Sequence, residues 1–149
     1  MAGAQRQSRA HAIVILVLLG LFIFRVVAQL IQLFAPTPIL PPFEAWHSGT
    51  LPYGILVASQ VAIIAVAVWF ARGLWAGTIK ESRRVGVALA WIGGLYFLGS
   101  VARVVAGFTF ARTNPFLSAH LPGFFHIVLA AMAVTAAHYY LDHIQGEAA

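Results

Sequence analysis

The chain has 149 residues, of which 61% are hydrophobic and only 9% charged, and its mean hydropathy is +0.88. Soluble domains carry about 25% charged residues, so the composition excludes one and predicts a single transmembrane domain, residues 1–149, built from α-helices. The formal charge of +5 is no nucleic-acid signature, because no basic run is interleaved with stacking aromatics, and the lack of cysteine excludes disulfides, thiolate catalysis and cysteine-held zinc or iron–sulfur clusters.

The first apolar run, about Ala12 to Ala35, has the roughly 20 residues that cross a bilayer and predicts a first span. A signal peptide is the alternative, since Arg6 and Arg9 precede the run and Val26-Val27-Ala28 resembles a cleavage site. Against it, Arg25 lies just before that site and the apolar run continues beyond it. Arg25, Gln29 and Gln32 recur at i, i+4 and i+7, which places them on one helical face.

A linker from Pro36 to Thr50 follows, and its four prolines predict an extended path. It carries Glu44 and Trp46-His47-Ser48-Gly49, where a stiffened loop can place His47 over a pocket mouth. The second span is expected at Leu51 to Ala71, with Ser59 and Gln60 near its middle and Ala58, Ala62 and Ala65 allowing close packing. The short basic linker Arg72 to Arg84 leads to a third span, Val85 to Phe108.

In the third span Gly93, Tyr96, Gly99, Ser100 and Arg103 form a stripe of small and polar side chains. A second stripe, Gly86, Ala90 and Gly94, has the small-xxx-small spacing that docks a neighbouring helix, so a homo-oligomer or a larger membrane complex is one candidate assembly. Asn114-Pro115 signals a turn in the third linker, which also holds His120, and the fourth span, Pro122 to Leu141, carries His126 one turn inside. His11, His138 and His143 fall at span ends and read as solvated interfacial groups, with Asp142 a local partner for His138. Trp46, Tyr53, Trp69, Trp75, Tyr139 and Tyr140 also lie near span ends, as interfacial aromatics do.

Arg6, Arg9, Arg72, Lys80, Arg83 and Arg84 flank one side and Arg112 the other, so the positive-inside rule puts both termini and the second linker in the cytoplasm, with a bacterial inner membrane as the expected location. Gly99-Ser100-Val101-Ala102-Arg103 and Thr113-Asn114-Pro115-Phe116, set among four short spans, resemble the small bacterial DoxX-like membrane proteins. The resemblance covers about the second half of the chain and implies a four-helix bundle.

An arginine at mid-membrane costs about 2.5 to 3.5 kcal/mol, so each needs a polar surrounding. With the helices alternating in direction, Arg25, Gln29, Gln32, Arg103 and His126 fall at similar depth. They predict an outward-opening pocket lined by both arginines, with Gln60, Tyr96, Glu44 and His47 around it. The planar guanidinium fork suits a phosphate or carboxylate, so the expected role is binding an anionic or polar small molecule or a lipid headgroup. Buried Arg and Gln gluing helices together without a ligand is the plain alternative. An accessory subunit of a larger membrane complex is another. A membrane enzyme or redox subunit using His126 or His47 is a third, but the sequence announces no cofactor or metal for it. Only His126 lies well inside a span, which disfavours bis-histidine haem ligation, and no Asp or Glu lies within a span to build a di-metal or acid–base carboxylate pair.

Overall fold

A computed structural model describes the backbone of residues 2–46, 52–80, 82–114 and 116–147, and the side chains of 3, 5–46, 52–80, 82–114 and 116–142. The order is α1 (Ala2–Phe34), α2 (Phe43–Trp46), α3 (Tyr53–Ala76), α4 (Arg83–Phe108) and α5 (His120–Glu147). Four of these are long and apolar enough to cross a membrane, over Gln5–Phe34, Tyr53–Ala76, Arg83–Phe108 and His120–Asp142.

The helices overrun the apolar runs because nothing local stops them. No proline interrupts residues 2–34, so α1 begins ten residues before Ala12, and α3 continues five residues past Ala71. Its stop is Gly77, in the left-handed region at φ 68°, with the Gly77 and Thr78 amides donating to the Leu74 and Gly73 carbonyls. The Ser82 hydroxyl caps α4 by accepting from the Val85 amide. The Asn114 carboxamide oxygen accepts from the Phe116 and Leu117 amides, the turn expected there, while Pro115 lies outside the described residues. The first linker is not extended throughout: α2 interrupts it with a single helical turn.

Two ends can be distinguished. The proline end holds the first and third linkers, and the basic end holds the second linker and the tips of α1 and α5. Helix α1 packs on α3 and α5, and α5 packs on α4, whereas among the described residues the α3 backbone approaches neither α4 nor α5. The order across the molecule is therefore α3, α1, α5, α4, a curled row with a gap between its outer members. Side chains curl the row at the basic end, where the Phe70 ring meets Tyr139 and Tyr140 at 6.2 and 5.9 Å between centres.

The closest seam is α4 on α5. Its buried α4 residues are Gly86, Gly93, Ser100 and Gly107, a seven-residue spacing that keeps a small residue at every second turn of the seam. A Cβ at Gly86 would stand 2.9 Å from the Tyr140 Cβ, and one at Gly93 3.1 Å from the Ala133 Cβ. This corrects the expectation that Gly86, Ala90 and Gly94 form one docking stripe. Gly86 is consumed inside the chain, and of the two glycines only Gly94 faces open space.

Two buried clusters fill the row. Leu19, Phe22, Val26, Trp46, Phe125 and Val128 pack toward the proline end, and Ala12, Ile15, Phe70, Leu74, Tyr139 and Tyr140 toward the basic end. The outward face is apolar, with Trp91, Ile92, Leu95 and Leu98 of α4 each between 64 and 69% exposed. Such a surface suits a hydrocarbon surrounding and would drive association in water.

Candidate ligand cavity

Arg25 is the most deeply placed charge among the described residues, 7% exposed on α1. Its Nη2 donates to the Trp46 backbone oxygen at 3.0 Å, and its guanidinium carbon lies 5.7 Å from the centre of the Phe125 ring. The Arg25 Nε is buried and has no acceptor among the described residues. Trp46, which supplies the acceptor, is itself fixed by its indole N–H donating to the Pro41 oxygen at 2.9 Å.

One turn along α1, the Gln29 Oε1 accepts from Gln60 Nε2 at 3.3 Å, joining α1 to α3, while Gln29 Nε2 is buried without an acceptor among the described residues. An unpaired buried donor costs about 1–3 kcal/mol, so two within one helical turn mark a place where polar capacity exceeds what the chain itself uses.

Across from α1, the Tyr96 hydroxyl of α4 hydrogen-bonds His126 Nδ1 of α5. The two rings stand edge to face, 5.8 Å apart. Arg25, Gln60, Tyr96 and His126 line one cavity of about 190 Å³, completed by Ser59 and by the apolar Phe22, Leu56, Ile63, Pro122, Phe125 and Leu129. Ile63, Tyr96 and Leu129 also line a second space, a groove of about 620 Å³ in the gap between α3 and α4. The rest of that groove is apolar: Ala62, Val66, Ala67 and Trp69 on one wall, Leu89 on the other, and Met132, Ala133, Ala136 and Tyr140 along its floor. A small polar chamber thus lies beside a longer apolar groove that runs toward the basic end, with Ile63, Tyr96 and Leu129 as their common walls.

Four of the nine residues expected at the pocket meet there: Arg25, Gln60, Tyr96 and His126. Gln29 stands behind them at the α1–α3 interface. Gln32 faces the first linker instead: its Nε2 donates to the Thr37, Leu40 and Pro41 oxygens and its Oε1 accepts from the Thr37 amide. Glu44 is exposed on α2 and, among the described residues, forms no ion pair with either arginine. His47 lies outside the described residues.

Arg103 departs from the expectation most clearly. Its Nε and Nη2 both donate to the Phe116 oxygen, at 3.2 and 2.8 Å, and its guanidinium stacks over the Phe116 ring at 3.8 Å. It lines neither space. Among the described residues the two arginines therefore share neither space; each has its own carbonyl. The reason is the row: α5 stands between α4 and α1, so the carbonyl within reach of Arg103 belongs to the third linker.

Sequence reasoning also missed the Trp46 carbonyl, a backbone atom that no residue type announces, and Phe125, whose place against the Arg25 guanidinium is visible only once α5 is oriented. No protein family, curated protein or solved structure matches the chain.

Proposed function

We propose that this is a multi-pass membrane protein that binds an amphipathic molecule, seating a polar or anionic head beside Arg25 and an apolar tail in the groove between α3 and α4. The observation that carries this reading is the side-by-side placement of the two spaces, which share Ile63, Tyr96 and Leu129 as walls. A free organic acid would leave the groove unused, whereas a lipid or quinone-like molecule uses both. The head finds the Arg25 guanidinium, the Gln60 amide and the Tyr96–His126 pair. The groove lies open at the side of the molecule, so a tail can enter from the bilayer without crossing a polar surface.

In this reading the bacterial inner membrane is the setting. The basic flanks place both termini in the cytoplasm, and the proline end with its polar chamber lies in the outer half of the bilayer. The likeness to the DoxX-like group enters only through the four-helix architecture it implies. The reading assigns binding to the chamber, whose polar groups are the Arg25 guanidinium, the Ser59 hydroxyl, the Gln60 amide and the Tyr96–His126 pair.

The experiment is to purify the chain in nanodiscs of defined lipid and identify tightly held molecules by native mass spectrometry. Wild type should retain an amphipathic species. Arg25→Ala should lose it by removing the cation that meets the head, and Ala62→Trp by filling the groove, both variants remaining helical and monodisperse. Wild type carrying no retained species in several lipid backgrounds, or both variants retaining it unchanged, would overturn the reading.

A further inference from the structure

At the basic end, far along the row from the polar chamber, three side chains from two helices converge. His11 of α1 and His138 and Asp142 of α5 bring ring nitrogens and a carboxylate oxygen within 4.8 Å of one another. His138 Nδ1 lies 2.7 Å from Asp142 Oδ2, and His11 Nε2 lies 3.5 Å from the same Nδ1. Gln7 Nε2 donates to Asp142 Oδ2 at 3.2 Å.

The protonation of His11 follows from its other nitrogen. Nδ1 stands 2.9 Å from the Gln7 backbone oxygen. A carbonyl can only accept, so Nδ1 carries the hydrogen and the neutral ring presents its Nε2 lone pair toward His138 and Asp142. A backbone carbonyl holding the far N–H and aiming the near nitrogen is the arrangement that metal-ligating histidines use.

We infer that His11 Nε2, His138 Nδ1 and Asp142 Oδ2 form a binding site for a zinc-like divalent transition metal that ties α1 to α5 at the basic end. Two nitrogens at about 2.0 to 2.1 Å from a tetrahedral ion stand about 3.3 Å apart, close to the 3.5 Å separation of the two ring nitrogens. The edge from His138 Nδ1 to Asp142 Oδ2 must widen from 2.7 Å by roughly half an ångström on the same geometry, which the exposed His138 allows, its side chain being 66% accessible, and the edge from His11 Nε2 to the Asp142 carboxylate lies within 4.8 Å. In the metal-free state the His138 Nδ1 hydrogen sits between the donors and holds them together. On binding, the ion takes that place and the imidazole carries its hydrogen on Nε2. The two imidazole donors suit zinc, nickel or copper over calcium or magnesium. Three protein ligands leave a coordination position for water or an incoming group.

The test uses the untagged full chain in nanodiscs, stripped with chelator and titrated with zinc, with cobalt as a spectroscopic probe. Wild type should take up one zinc per chain, and cobalt should give the visible bands of a low-symmetry four- or five-coordinate site. His138→Ala and Asp142→Asn should each weaken zinc at least tenfold, the order of loss usual when a metal site is disturbed. His138 is exposed, so its removal leaves the packed row intact and keeps the comparison valid. Absence of stoichiometric zinc in wild type, or equal uptake in His138→Ala and Asp142→Asn, would overturn the site. Equal uptake would mean an adventitious ion held elsewhere.

Discussion

Arg25 and Trp46 fix one another: the guanidinium donates to the Trp46 backbone oxygen at 3.0 Å, and the indole, 3% exposed, closes the cluster beside Phe125 at 6.3 Å between ring centres. The first linker is thereby drawn down onto α1 and α5 at the mouth of the polar chamber. Trp46→Phe removes one hydrogen bond but leaves the Pro41 oxygen satisfied by Gln32, so it should cost about 0.5–1.5 kcal/mol. Trp46→Ala leaves a void and should cost about 3–5 kcal/mol. Thermal unfolding in one detergent checks the order; equal losses would mean the ring volume contributes nothing.

The α4–α5 seam makes a sharper prediction. A Cβ at Gly107 would run into the Leu117 backbone oxygen, which cannot swing away as a side chain does. Gly107→Ala should destabilise by about 1–3 kcal/mol, as overpacking does. Gly94→Ala and Gly99→Ala meet nothing within 4 Å and should be neutral or slightly stabilising, since alanine favours helix. A neutral Gly107→Ala would show that the third linker is not seated against α4.

The four long helices were legible because an apolar run of about 20 residues is a direct statement about length and solvent. Which faces meet was only partly legible. Gly93 and Ser100 belong to the seam, but Tyr96 and Arg103 are both offset from the seven-residue line through Gly86, Gly93, Ser100 and Gly107. A period of seven, rather than a count of small residues, carried the information. Alternating helix directions put Arg25, Gln29, Gln32, Arg103 and His126 at similar depth, and of these five only Arg25 and His126 line the chamber, joined there by Gln60 and Tyr96. Arg103 has matching depth yet the wrong neighbour, because helix order across the molecule is set by packing that depth does not encode. The groove was invisible for the same reason: it exists because α3 fails to meet α4.

Gln32 gives a prediction about the linker alone. One amide holds three linker carbonyls and one linker N–H, so Gln32→Leu strips four hydrogen bonds while keeping the side chain's approximate size. Amide hydrogen exchange at Thr37 should accelerate by at least tenfold, the factor that corresponds to about 1.4 kcal/mol of lost protection. Exchange in the middle of α3 should stay unchanged. If Thr37 remains as protected as in wild type, some other group holds the linker.

The two arginines separate the binding reading from a purely structural one. Arg25 leaves Nε without an acceptor among the described residues and holds the Trp46 oxygen through Nη2, so Arg25→Met should destabilise by about 1–3 kcal/mol, the cost of the orphaned carbonyl. It should also abolish retention of the amphipathic species. Arg103 is engaged with Phe116 through two donors and a stacked ring. Arg103→Met should free the third linker, seen as faster exchange at Leu117 and Ser118, and leave retention within about threefold of wild type, the change that roughly 0.6 kcal/mol produces. Measuring both variants side by side for stability, exchange and retained ligand gives a pattern that helix glue alone cannot produce. Under that alternative, no bound species distinguishes the two variants. Equal loss of ligand from both would instead return Arg103 to the site, against the geometry in which the Phe116 carbonyl already occupies it.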